Sequence, residues 1–309
     1  MDVVVAGLAV VDIIGRPLHF DKMPRPGGLK FLDSITLTTG GNVCNCGIDL
    51  AKMGFQVAAV TRVGDDGLGQ FILKQFALHR IDTTGVTVDS RKQTSATIVG
   101  VGLDGERSFL HTRGCLTSFE VKDVTKNLAL VKRAKVFALG YLGLLPEAES
   151  DFGTLLRTIK ERTGAQTLLD TGGNPRRQQG LLRSFLPFVD YFIPSYEEAI
   201  ALTGRREPEE IVRYLFNNGA RNVVGVKLGS KGCYVASQGS AAYIPSFRVE
   251  RVVDATGAGD AFVSGFLAAT LRGFGPFGAA RIGNAVAASC VGAVGASTAI
   301  ASFKKYAGR

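Results

Sequence analysis

The sequence predicts an α/β protein built on a doubly wound, mainly parallel sheet with helices on both faces, carrying a small β-sheet lid. Three observations lead there. Short β-branched runs alternate with longer helical stretches over most of the 309 residues. Those runs are apolar throughout, the pattern of strands covered on both faces. Two early stretches break the rhythm in a way that suits antiparallel strands.

Strands are expected at 3–6, 57–61, 136–139, 167–170, 191–193 and 223–226. Helices are expected between them at 43–53, 67–79, 147–161, 196–202 and 209–217, with a further apolar helix at 261–271. The first apolar run, Val3 to Val11, has no basic segment before it and meets Asp12 directly, so it reads as a buried strand and not a signal peptide. Residues 279–301 are rich in Ala and Gly but contain Arg281 and Asn284, which suits a packed helix and loop better than a membrane span. Residues 30–38 alternate like a half-exposed strand. Residues 94–111 read as two strands joined by Asp104-Gly105, a strong hairpin signal. A small sheet projecting over a site would account for both and would exclude water from it.

A hydrophobic share of 46% is enough for a sizeable core. Lys and Arg number 36 against 27 Asp and Glu, a formal charge of +9. These cations are scattered, with Arg176-Arg177 and Arg205-Arg206 only as pairs. An anionic small molecule is therefore a better expectation than nucleic acid, and no membrane partner is expected. The five Cys, at 44, 46, 115, 233 and 290, match no zinc ligand spacing. Buried thiols in a reducing cytosol explain them, which implies a cytoplasmic protein.

The most informative stretch is Val252-Val253-Asp254-Ala255-Thr256-Gly257-Ala258-Gly259-Asp260-Ala261-Phe262. A Gly-rich turn runs into an apolar helix. The free N–H groups of Gly257, Ala258 and Gly259 at the helix start form an anion site, and small residues let phosphate oxygens approach. Asp260 then stands in the first turn beside the bound phosphate, where a carboxylate can take the proton of an attacking hydroxyl. As an isolated motif, Asp260 reads equally well as a helix cap. Upstream, Gly40-Gly41 precedes a helix and permits close backbone approach to a ligand, and Asn45 offers one donor and one acceptor.

The stretch Asp254 to Phe262 resembles the C-terminal signature of the ribokinase-like (PfkB) carbohydrate kinases, with Ala255 where the family usually has Thr. Gly40-Gly41-Asn42-Val43-Cys44-Asn45, followed by Ala51-Lys52-Met53-Gly54, resembles the family's di-glycine sugar-binding turn. The resemblance covers essentially the whole chain. It implies a single ribokinase-like domain over residues 1–309, with lid strands from about 12–38 and 94–113.

The resemblance also implies an ATP-dependent sugar kinase, in which Asp260 is the base and Gly257, Ala258 and Gly259 hold the transferring phosphoryl group. It places substrate on Asp12, expected just past the first strand at the carboxyl edge of the sheet, and on Gly40, Gly41 and Asn45. ATP would lie along Lys227, Gly229 and Gly232, with adenine near Asn284, expected near the start of the last helix. It places Mg²⁺ near Glu198 through water, a K⁺ site near Asp254, and a homodimer as the assembly. Ser195 stands where the family element has Asn. Val10 and Gly140-Tyr141 lack polar groups that ribokinases proper carry, which argues against ribose. Tyr141 could instead stack on a base or a sugar face, so a nucleoside kinase of the same fold is the alternative. A phosphorylated sugar would need cations near the lid, for which Arg107 and Arg113 are candidates. A non-catalytic sugar- or nucleotide-binding protein is the alternative of another class.

Other matches fail on context. Gly100-x-Gly102-x-x-Gly105 fits the dinucleotide pattern but lies within the expected hairpin and precedes no helix. Neither a P-loop nor a GxSxG elbow occurs. His19, His79 and His111 have no ligand spacing, although His111 ends the expected lid and could face substrate.

Overall fold

The computed structural model describes residues 1–103, 106–237 and 239–308. Fourteen strands occur among them: β1 (Val3–Gly7), β2 (Val10–Arg16), β3 (Ser34–Gly40), β4 (Val57–Val60), β5 (Arg62–Gly64), β6 (Thr87–Asp89) and β7 (Ala96–Val101), then β8 (Arg107–Thr112), β9 (Val136–Leu142), β10 (Gln166–Thr171), β11 (Tyr191–Phe192), β12 (Val223–Lys227), β13 (Cys233–Ser237) and β14 (Ser240–Ile244). The main sheet has eight strands in the order β14-β13-β12-β11-β10-β9-β1-β4. The six from β4 to β12 are parallel, and β13 and β14 add an antiparallel edge.

Alternate residues of each parallel strand enter separate cores. Val3 and Val5 pack under helices Asn42–Lys52, Gly67–Leu78, Ala258–Leu271 and Pro276–Cys290. Val4 and Ala6 pack under helices Phe152–Thr163, Tyr196–Thr203 and Pro208–Asn217. Burial on both faces is why these strands read as unbroken apolar runs.

A second sheet of four strands, ordered β3-β2-β7-β8, covers the carboxyl-terminal side of β1. Its inward residues Ile14, Val99 and Val101 form a small core of their own. Strands β5 and β6 pair separately.

Four expectations need correction. The apolar run from Val3 breaks at Gly7, whose φ is 131°, and its second half becomes a lid strand. Asp12 therefore belongs to the lid and not to the rim of the main sheet. The strand expected from residue 30 begins at Ser34, because pairing with β2 starts at Arg16↔Ser34. The helix expected over 147–161 is two pieces, Pro146–Glu149 and Phe152–Thr163. Glu149 turns inward there to accept from the N–H groups of Gly143 and Leu145, each at 2.7 Å. Asn284 lies in the middle of the last helix and not near its start. The hairpin residues Asp104 and Gly105 lie outside the described residues.

Candidate active site

The helix Ala258–Leu271 points its N-terminus at the meeting point of the main sheet and the lid. Gly257 caps it with φ 75°, and a Cβ there would collide with Ala296, so the turn requires glycine. The Ala258 N–H makes only a long 3.3 Å bond to Ala255 O. Among the described residues, nothing accepts from the N–H groups of Gly259 and Asp260. Two free amides at a helix start, reinforced by the helix dipole, make an anion cradle.

Asp260 sits in the first turn, buried, with its carboxylate held from two sides. The Asn45 Nδ2 donates to Oδ2 at 2.8 Å, and the Tyr141 hydroxyl reaches both oxygens at 2.6 Å. Ser264 ties the Asp260 carbonyl at 2.7 Å. Burial raises the Asp260 pKa above the ordinary carboxylate range, against the pull of Asn45, Tyr141 and Lys227. A raised carboxylate at an anion cradle has the properties of a general base. Asn45 keeps its Oδ1 buried and without a protein partner. Its neighbour Asn42 is structural, bonding Leu8 N and Ala6 O at 2.9 Å each and so fastening the helix to the end of β1.

Lys227 ends β12 and forms a 3.0 Å ion pair with Asp170 of β10. Its ammonium lies 3.5 Å from where a Cβ on Gly259 would stand, so it belongs to the cradle. Burial pulls its pKa down, but Asp170, Glu198 and Asp260 outweigh this and hold it charged. Gly229 and Gly232, both at positive φ, shape the tight turn into β13. Glu198 caps helix Tyr196–Thr203, where its Oε2 accepts from Ser195 N at 3.0 Å and Thr171 Oγ1 at 2.6 Å. Asn284 is engaged by protein: its Nδ2 donates to the carbonyls of Ile244 and Pro245 at 3.0 and 3.2 Å.

Between lid and body lies a cleft lined by Asp12, Ile14, Thr38, Val99, Arg107 and Phe109 on one side and by Asp254, Thr256 and Gly295 on the other. Asp12 lies directly against Gly40; any Cβ at 40 would collide with its carboxylate. Burial, helped by the Asp254 charge, pushes the Asp12 pKa up to about 6, with Thr97 and Arg107 opposing. Thr97, its neighbour on β7, also touches His111 Nδ1 at 3.1 Å, which gives that histidine a partner in the lid.

Arg107 crosses from β8 to form an ion pair with Asp254. The Asp254 carboxylate also accepts from Thr256 N at 2.6 Å and Gly295 N at 2.9 Å. Burial alone would raise Asp254, but these donors and Arg107 hold it below the usual range.

The geometry thus places Asp12 and Gly40 on the lid, Gly41 and Asn45 at the start of helix Asn42–Lys52, and Gly257 to Asp260 with Lys227 beside Asn45. Three contacts escaped the sequence reading: Tyr141 to Asp260, Lys227 to Asp170, and Arg107 to Asp254. Each joins residues far apart in the chain and leaves no local pattern. The position of Tyr141 at the carboxyl end of a buried strand was the one available signal. Cys44 and Cys46 are buried, and burial raises both thiols, so neither is poised for redox chemistry.

The chain matches the pfkB family carbohydrate kinase pattern over residues 1–302 and belongs to that family. It is 26% identical to the 2-dehydro-3-deoxygluconokinase of Bacillus subtilis, over 91% of this chain and 89% of that one. It is 30% identical to fructokinase-2 of Zea mays, over 80% and 76% of the two chains. The structure of Arabidopsis thaliana ribokinase complexed with ribose and ATP superposes with a TM-score of 0.82 at 25% identity, covering 99% of this chain and 97% of that one. Fold and family together make the chain a carbohydrate kinase, a phosphotransferase.

Proposed function

We propose that the protein transfers the γ-phosphoryl group of ATP to a hydroxyl of a small carbohydrate, with Asp260 as the base. The observation that carries this reading is one constellation: a buried, raised carboxylate in the first turn of a helix whose free amides and adjacent Lys227 form an anion cradle. A pure binding protein has no use for a base at that point. The sugar is held by Asp12, by the backbone at Gly40 and Gly41, and by Asn45, whose unpartnered Oδ1 accepts a sugar hydroxyl. Asp260 takes the proton of the attacking hydroxyl while the amides of Gly257 to Asp260 and the Lys227 ammonium balance charge on the phosphoryl oxygens. ATP lies against the Lys227 to Gly232 turn.

Mg²⁺ suits this site. Glu198 Oε1 has no protein partner among the described residues, and Asp170 stands nearby, which fits an ion held by phosphates, water and one or two carboxylates. Mg²⁺ supplies charge neutralisation on the phosphates. K⁺ at Asp254 does not suit it, because Arg107 and two backbone amides already occupy that carboxylate.

The exposed apolar outer face of the lid, with Ile35, Leu37, Ile98 and Leu110, supports a homodimer. Five free, buried cysteines support a cytoplasmic setting. No helix among the described residues is long and apolar enough to cross a membrane.

The reading is tested by following ADP release from MgATP with sugars, sugar acids, sugar phosphates and nucleosides. Sugar-dependent release supports it; binding without release from any compound replaces it with the binding-protein reading.

A further inference from the structure

Neither Asp260 nor Tyr141 lines the cleft between lid and body, and the two side chains lie against each other. The phenol O–H bridges both carboxylate oxygens at 2.6 Å, and Asn45 takes a second position on Oδ2 at 2.8 Å. Gly172 packs closely against the root of the tyrosine ring, where any Cβ would stand 2.7 Å from the Tyr141 Cβ and Cγ. The ring itself is only partly buried. The remaining titratable neighbours of the carboxylate are Cys44, Cys46 and Asp49 from helix Asn42–Lys52, Asp170 from β10, Lys227 from β12 and Cys290 from the last helix. The Cys46 thiol is 3.7 Å from Oδ1, a weak donor at best. None of these covers the carboxylate as the phenol does.

We infer that Tyr141 is a positioning residue that reserves Asp260 for a sugar hydroxyl by occupying the hydrogen-bonding positions an attacking group must take. This rests on Asp260 being the base. A water molecule entering alone can replace the phenol bond only one for one, and gains nothing by displacing it. A sugar anchored through several hydroxyls on Asp12, Asn45 and the Gly40-Gly41 backbone can offset the lost bond. Sugar binding therefore frees the base, while water meets it already engaged. The reaction suppressed is ATP hydrolysis, in which a water oxygen bonds to the γ-phosphorus, the bond to the bridging oxygen breaks, ADP leaves, and Asp260 receives the water proton.

The test compares wild type with Tyr141→Phe, which keeps the ring and removes the hydroxyl; Tyr141→Leu serves as a second variant if the first does not fold. ADP release is measured with and without the best sugar, and kcat/KM for the sugar is followed against pH. The ratio of sugar-independent to sugar-dependent release is expected to rise roughly tenfold, the scale of one hydrogen bond to a charged acceptor. The acidic limb of kcat/KM is expected to move to higher pH, because a donor that held the Asp260 carboxyl down has gone. Sugar-dependent release with an unchanged ratio and an unchanged limb overturns the role of Tyr141 alone. No sugar-dependent release from the wild type overturns the kinase reading and this inference together.

Discussion

Asp260 is held where burial, which raises its pKa, competes with Asn45, Tyr141 and Lys227, which lower it. The balance leaves a carboxylate more basic than one in water, which suits a base. Lys227 is the counterweight. Lys227→Met should lower turnover roughly 10²–10³-fold, the usual effect of removing one preorganised charge stabiliser. It also leaves Asp170 buried and unpaired. The double variant Lys227→Met with Asp170→Asn should therefore regain stability without regaining turnover, read by thermal melting and ADP release. Recovery of both would make the lysine purely structural.

Asp12 gives a pH signature at the same scale. Its pKa near 6 means that it loses charge as pH falls through that value. Sugar KM should rise below about pH 6 while ATP KM holds, in steady-state assays from pH 5 to 8. A parallel rise of both would point away from Asp12.

The helix Asn42–Lys52 carries both a site residue and a liability. One turn beyond Asn45, Asp49 is fully buried with both carboxylate oxygens unpartnered. Burial pushes its pKa up to about 8 from 3.8, with Asp260 adding and Ser297, Lys52 and Ser264 opposing. Between those values the folded state binds a proton that the unfolded chain has released, so stability falls as pH climbs through that window. Asp49→Asn removes the titration, and its gain in melting temperature should be larger at pH 8 than at pH 5. An equal gain at both would contradict the assignment.

The lid is an element of a different kind. It has a three-residue core, and Arg107 fastens it to Asp254 on the body. Arg107→Ala should raise sugar KM roughly tenfold, the worth of a charge-assisted bond. Exchanging Na⁺ for K⁺ should leave wild-type turnover unchanged, because the guanidinium already satisfies Asp254.

At the scale of the whole molecule, the parallel core was legible because strands buried on both faces write unbroken apolar runs. Val3, Val57, Val136 and Val223 all fell in strands where expected. The lid was legible only in outline. The run from Val3 to Val11 looks like one strand, and only the tertiary structure at Gly7 sends its halves to different sheets. The edge hairpin of β13 and β14 went unread because an exposed edge strand such as Ser240–Ile244 is short and weakly patterned.

The site divides along the same line. Gly257 to Asp260, Gly40-Gly41 and Asn45 lie in contiguous motifs and could be read. Tyr141, Asp170 and Arg107 act across 119, 57 and 147 residues of chain, respectively, from the groups they touch. Separations of that size leave no periodicity behind, so only the folded chain reveals them.

In the proposed reaction Asp260 takes the proton of a sugar hydroxyl as that hydroxyl receives the phosphoryl group. The most direct test is ADP release from MgATP across the sugar panel with Asp260→Asn run beside the wild type. Sugar-dependent release is expected from the wild type, reduced roughly 10²–10⁴-fold in the variant, with sugar binding retained by calorimetry. Wild-type turnover in Asp260→Asn would contradict that role for Asp260.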